Sequence, residues 1–123
     1  MFTGTIDQDL NIRVRLEFIG NNGANVEQDM LFDTGFGGYF SLPRHLINTL
    51  GYPEVDSDEL RLGDGTKIIA TVHAGRVVWD GQEQNAILHC LEDDALLGMS
   101  QIEGYHVDLP ARVGETATFA LMP

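Results

Sequence analysis

Hydrophobic and polar residues alternate along much of the chain. Ile12, Val14, Leu16 and Phe18 are separated by Arg13, Arg15 and Glu17, a period of two that predicts a strand with one buried face. Gly20-Asn21-Asn22-Gly23 follows. Asn-Gly tolerates positive φ and predicts a tight hairpin turn, with the return strand over Val26 to Phe32. Lys67 to Trp79 is rich in Ile, Val and Thr, Asp80-Gly81 supplies a second hairpin turn, and Asn85 to Leu91 reads as the returning strand. Gly63-Asp64-Gly65 marks a third turn, between Leu60-Arg61-Leu62 and Lys67-Ile68-Ile69, and Thr116 to Leu121 reads as a final strand. The acidic stretch Glu54 to Glu59 reads as a surface loop. One full helix is expected. Ser41 is a capping type, Pro43 suits a first turn, Arg44 to Leu50 forms the body and Gly51 stops it. A shorter turn of helix is expected over Ser100 to Glu103.

The two halves share an order. The first runs strand, Asn22-Gly23 turn, strand, Phe32-Asp33-Thr34-Gly35, helix. The second runs strand, Asp80-Gly81 turn, strand, Ala95-Leu96-Leu97-Gly98, short helix. The pattern predicts an all-β domain with an internal quasi-repeat, and 123 residues fit a single domain over 1–123.

Charge narrows the partners. Seven Lys+Arg against nineteen Asp+Glu give 7 − 19 = −12, a surface that repels a phosphate backbone or an anionic lipid, so neither nucleic acid nor membrane is an expected partner. No apolar run approaches the roughly 20 residues of a membrane span, and Met1-Phe2-Thr3-Gly4 lacks the basic start and apolar stretch of a signal peptide. Cys90 is the single cysteine, so a reducing, cytoplasmic setting is expected. One Cys and four scattered His match no zinc-ligand spacing, so neither a metal nor another cofactor is expected. His89 and Cys90 are neighbours on a strand and should face opposite ways; Cys90 reads as a small buried hydrophobe and Glu92-Asp93-Asp94 as a solvated acidic turn.

The candidate chemistry lies in Phe32-Asp33-Thr34-Gly35. A carboxylate at the end of an apolar strand is held on a rigid element and aimed past its edge. Thr34 offers a hydroxyl, and Gly35 lets the backbone turn sharply and bring N–H groups near the carboxylate. Two apolar residues precede Asp33, and Leu96-Leu97-Gly98 follows later, ahead of a short helix. With the hairpin signals, this combination resembles the retropepsin-like aspartic protease family, over about Ile12 to Leu109. The stretch from Asp33 to Pro43 looks particularly like small bacterial members of that clan.

The resemblance implies a closed retropepsin-like β-barrel with one or two short helices. It makes Asp33 the catalytic aspartate, Thr34 the residue that braces the two active-site loops across a dimer axis, and Gly35 the donor that supports the carboxylate. It sets Leu96-Leu97-Gly98 beneath the active-site loop and a substrate-binding flap over Leu60 to Ile68, with Gly63, Asp64 and Gly65 at its tip. It also implies a homodimer through interleaved terminal strands, for which Met1 to Ile6 and Thr116 to Leu121 are available. Phe36 departs from the family, which carries Ala in retroviral members and Ser or Thr in pepsin-like lobes; here a large ring stands near the substrate cleft.

One carboxylate serves this reaction poorly. Two carboxylates about 3 Å apart share one proton and so supply both a base for water and an acid for the leaving amide. The chain holds one Asp-Thr-Gly, so the second must come from a symmetry-related copy. The expected function is that of a homodimeric aspartic endopeptidase acting on polypeptide. The alternative is a retropepsin-fold binding or assembly module without proteolysis, which would not need Asp33.

Overall fold

The computed structural model describes residues 1–61 and 63–123; Leu62, which the sequence places just before the third turn and within the expected flap, lies outside the described residues. The first part of the chain holds β1 (Phe2–Ile6), β2 (Ile12–Phe18), β3 (Val26–Phe32), β4 (Phe40–Leu42) and α1 (Arg44–Leu50). Then come β5 (Glu54–Arg61), β6 (Lys67–Trp79), β7 (Gln82–Cys90), β8 (Leu96–Leu97) and α2 (Met99–Ile102). The chain ends in β9 (Tyr105–Asp108) and β10 (Thr116–Leu121). None of the helices among the described residues is long and apolar enough to cross a membrane.

Alternation on β2 does what its period requires: Ile12, Val14, Leu16 and Phe18 are buried while Arg13 and Arg15 are exposed. That one-sided burial curls the sheet. β2 pairs with β3, β3 with β8, β8 with β4, β4 with β7 and β7 with β6. β6 returns to β2 through Glu17↔Val78 and Phe18↔Val77, which closes a six-strand barrel. Phe18, Phe40, Leu88 and Leu97 are enclosed within it. Each such side chain contributes roughly 2 kcal/mol on leaving water.

The quasi-repeat is real, and its register differs from the one read in the sequence. The second strand of each half runs parallel to the short strand of the other half: β3 beside β8, and β7 beside β4. The short strands β4 and β8 meet antiparallel in the middle, and each leads into a helix. Leu96-Leu97-Gly98 therefore corresponds to β4 and the start of α1, and not to Phe32-Asp33-Thr34-Gly35.

Local expectations fared unevenly. Asp80 and Gly81 take φ of 49° and 83° between the paired Trp79 and Gln82, the two-residue turn that Asp-Gly favours. Gly51 ends α1 in the left-handed region at φ 70°. Gly20-Asn21-Asn22-Gly23 is no tight hairpin. Phe18 pairs with Val26, and the wider loop between them docks on α1, with Asn21 Nδ2 donating to Gly51 O and Asn22 Nδ2 to Thr49 O. Ser41 does not cap the helix, whose N-cap is Pro43. It is fully buried in β4, where its hydroxyl donates to Asp94 O at 2.9 Å and accepts from Leu96 N–H at 3.0 Å, tying β4 to β8. Glu54 to Glu59 is strand, not loop. The long, regular β6 offers it a partner from Glu54↔His73 to Arg61↔Lys67, and its charges suit an exposed edge.

The terminal strands also differ from the expectation. β1 and β10 pair with each other within one chain, from Phe2↔Phe119 to Thr5↔Thr116. The far edge of β10 is taken by β9, through Thr118↔Asp108 to Leu121↔Tyr105. Their side chains meet within the chain as well, Phe2 stacking on Phe119 at 4.6 Å and meeting Trp79 edge-on at 4.7 Å.

Between β1 and β2 the chain turns through Asp7. One of its carboxylate oxygens accepts the N–H groups of Asp9 and Asn11, both at 2.9 Å, and the other accepts Arg13 Nε at 2.9 Å. This network holds Leu10 at φ 63°, a region leucine avoids. The Arg13 hydrogen bond, followed by that from Asn11, holds the Asp7 carboxyl below the usual carboxylate range. A depressed folded value means stability that is present above the unfolded value of about 3.9 and lost as pH falls through the folded one. Asp7→Ala should therefore lower the melting temperature at neutral pH, and the difference from wild type should shrink below about pH 4. Melting curves across that range check it.

Candidate active site

Asp33 is the first residue beyond β3. Its N–H donates to Leu97 O at 3.0 Å, extending the parallel ladder onto β8. Its Oδ1 accepts the Gly35 N–H at 2.8 Å, the support expected of that glycine, and its carbonyl accepts the Phe36 N–H at 3.1 Å. Asp33 is half-buried, and Thr34 and Gly35 are exposed.

The rest of the loop is fastened to the residues after β8. Gly98 N–H donates to Tyr39 O, Met99 N–H to Phe36 O and Ser100 N–H to Gly38 O, at 2.9 to 3.1 Å, and the Ser100 hydroxyl donates to Gly37 O. Gly98 has φ −100° and ψ 169°, which any residue adopts. Space is what requires glycine here, since a Cβ would stand 2.1 Å from Gly38 O and 2.7 Å from the Phe36 ring. Leu96-Leu97-Gly98 thus lies beneath the Asp33 loop. Phe36 borders the cleft, but it is 7% exposed and turned under the loop against Gly38 and His89.

Two hollows meet at Asp33. The first, about 520 Å³, is a cleft between the Asp33–Gly38 loop and the β5–β6 hairpin, which contributes Asp58 to Arg61 and Gly63. His89, Leu91, Asp94 and Leu96 also line it. Of the expected flap residues, Gly63 faces this cleft with Asp33, while Asp64 and Gly65 shape the exposed tip. Asp64 Oδ1 accepts the Thr66 N–H at 2.8 Å, and that bond holds its carboxyl below the usual range. Gly65 supplies φ 88°. The second hollow, about 720 Å³, opens on the other side of Asp33 and Thr34 and is lined by Leu10, Leu31, Phe32, Met99, Tyr105 and Leu109 among others. Leu10, Met99 and Leu109 are 51%, 43% and 51% exposed, so a cluster of apolar surface adjoins the carboxylate.

The internal symmetry shows what occupies the position matching Asp33. As Asp33 N–H donates to Leu97 O, Leu91 N–H donates to Leu42 O at 3.2 Å, one residue beyond the other long strand. The match to Asp33 within this chain is Leu91, with Glu92-Asp93-Asp94 on the exposed turn after it. No second carboxylate is supplied there.

Elsewhere the histidines are held separately. His73 is buried, with Nδ1 3.0 Å from Tyr52 O and Nε2 2.9 Å from Thr71 Oγ1. His45 and His106 are exposed, and among the described residues no three His, Cys, Asp or Glu side chains gather as a metal-ligand set. His89 and Cys90 occupy successive positions on β7 and both are buried. Sequence reasoning missed the contact of His89 with Asp58, at 3.0 Å, because β6 intervenes between their strands.

No family model, curated protein or solved structure matches this chain.

Proposed function

We propose that the chain is a retropepsin-like aspartic endopeptidase, active as a homodimer in a reducing, cytoplasmic setting. One observation carries this reading. The Asp33-Thr34-Gly35 loop is seated on the Leu96-Leu97-Gly98 strand at the junction of a roofed cleft and an apolar hollow. The cleft suits an extended polypeptide, held by backbone hydrogen bonds under the β5–β6 hairpin. The hollow suits a second copy, whose Asp33 then comes beside the first.

In that pair, a water lies between the two Asp33 carboxyl groups. One carboxylate takes a proton from the water as its oxygen attacks the scissile carbonyl carbon. The other, protonated, hydrogen-bonds the carbonyl oxygen as charge develops there. A proton then passes to the amide nitrogen, the C–N bond breaks, and the acid and amine leave. Gly35 N–H keeps each carboxylate oriented throughout, and the reaction as written requires no cofactor.

Charge favours the hollow as the meeting surface. With a net charge of −12, two copies repel over most of their surface, whereas Asp33 and Glu103 are the only acidic or basic side chains among the described residues lining this hollow. Leu10 is exposed on its rim despite a backbone conformation that costs a leucine about 1–2 kcal/mol. Asn tolerates that conformation, so Leu10→Asn should leave the single chain at least as stable while weakening the dimer, as sedimentation at several concentrations would reveal. The activity itself is tested by incubating the chain with an unfolded polypeptide and looking for new amino termini. Their absence from acid to neutral pH, with the polypeptide bound, would favour the binding-module alternative.

A further inference from the structure

Under the roof of the cleft lies an imidazole that this reaction leaves unused. The His89 side chain, on β7, is 7% exposed. Its Nε2 stands 3.0 Å from Oδ2 of Asp58, on β5, a strand separated from β7 by β6. Its ring also meets Phe36 edge-on, with centroids 5.7 Å apart and planes at 86°. Phe36 belongs to the catalytic loop, bonded to Asp33 through its N–H and to Met99 through its carbonyl.

Two further observations give the pair its meaning. Among the described residues, His89 Nδ1 is buried without a hydrogen-bond partner. A proton there would be a buried donor left unmade, so the ring carries its proton on Nε2 and donates it to Asp58. The second concerns β5, an edge strand whose outward side chains are exposed. Its other side-chain bonds stay inside its own hairpin: Asp56 Oδ1 with the Ser57 N–H, Glu59 with Lys67, and Arg61 with Gly65. Among the described residues, Asp58 to His89 is the one side-chain hydrogen bond joining β5 to the molecule beyond that hairpin.

We propose that His89 is a positioning residue that sets where the β5–β6 hairpin stands over Asp33. Nε2–H holds the hairpin through Asp58, and the ring supports Phe36 behind the catalytic loop. The tie is a property of the fold, and its consequence for cleavage rests on the protease reading.

Three variants of the intact chain separate the parts. His89→Phe keeps a ring and removes the donor. His89→Gln keeps an amide N–H near the Nε2 position. Asp58→Ala removes the acceptor at an exposed site that tolerates it. Nitrogen chemical shifts of wild-type His89 should report the Nε2–H tautomer. Amide exchange in 54–61 and 67–71 should quicken about three- to tenfold in His89→Phe and in Asp58→Ala, with the rest of β7 unchanged. The double variant should be no faster than either, and His89→Gln should return exchange toward wild type. In a peptide-cleavage assay, KM should rise by a similar factor in His89→Phe with kcat little altered, and His89→Gln should restore it. An Nδ1–H tautomer, or unchanged hairpin exchange in Asp58→Ala, would overturn the proposal, and the latter decides the matter even if His89→Phe fails to fold. Exchange that responds as stated in a chain that cuts nothing would support the positioning role and count against the protease reading alone.

Discussion

Asp33→Asn is expected to reduce peptide cleavage to background while leaving the fold and the dimer intact. Asn matches Asp in size, and its carbonyl oxygen still accepts the Gly35 N–H that Asp33 Oδ1 accepts at 2.8 Å. The ladder bond to Leu97 O comes from the backbone and is untouched. What disappears is the base, and symmetry removes it from both halves of the site at once. Positioned acid–base groups give about 10²- to 10⁴-fold, equivalent to roughly 3 to 5 kcal/mol of barrier. Cleavage rates and melting curves on the same samples check both halves of the prediction. A folded, dimeric variant that still cuts an unstructured polypeptide at the wild-type rate would end the mechanism.

Gly98→Ala is expected to be the most damaging single-methyl change near the site. The added carbon would stand 2.1 Å from Gly38 O, a backbone atom that cannot rotate aside, and 2.7 Å from Phe36. Either Met99 and Ser100 withdraw from the loop, losing their bonds to Phe36 O and Gly38 O, or the Asp33 loop shifts. Overpacking of this kind costs about 3 kcal/mol, or roughly 10 °C in melting temperature for a chain of this size. Activity should fall further than stability accounts for, because displacing the loop misplaces Asp33. Gly37→Ala is the internal control for stability. Nothing lies within 4 Å of its added Cβ, so its melting temperature should stay close to wild type. Equal melting temperatures for the two variants would show that β8 does not support the loop as described.

Much of the barrel was legible because its strands carry strong local signals. β2 alternates with period two, β6 is long and β-branched, and Asp80-Gly81 has the turn chemistry its hairpin needs. Asp33 with its Gly35 support could be read from four residues, since a strand end, a carboxylate and a glycine act within one turn. What was illegible depends on partners distant in sequence. Glu54–Glu59 has the composition of a loop and becomes strand because β6 offers a complete edge. β8 spans Leu96 and Leu97 alone, too short for any period, so the sequence pattern aligns the quasi-repeat on Gly98, whereas the structural counterpart of β8 is β4. Ser41 sits where a helix cap would, yet its hydroxyl is claimed by Asp94 O and Leu96 N–H across the sheet. The bond from His89 to Asp58 spans 31 residues and exists only because β6 sets their strands on either side of it.

The central claim is that one active site contains two copies of Asp33. It is tested most directly by unfolding equal amounts of wild-type and Asp33→Asn chains together, refolding the mixture and measuring cleavage at constant total chain concentration. If each site needs both carboxylates, random pairing leaves about one quarter of the dimers competent, and activity should fall to about one quarter of the wild-type value. If each chain cleaves with its own carboxylate alone, activity falls only to about one half. The first result is the one this account predicts, and the second would contradict it.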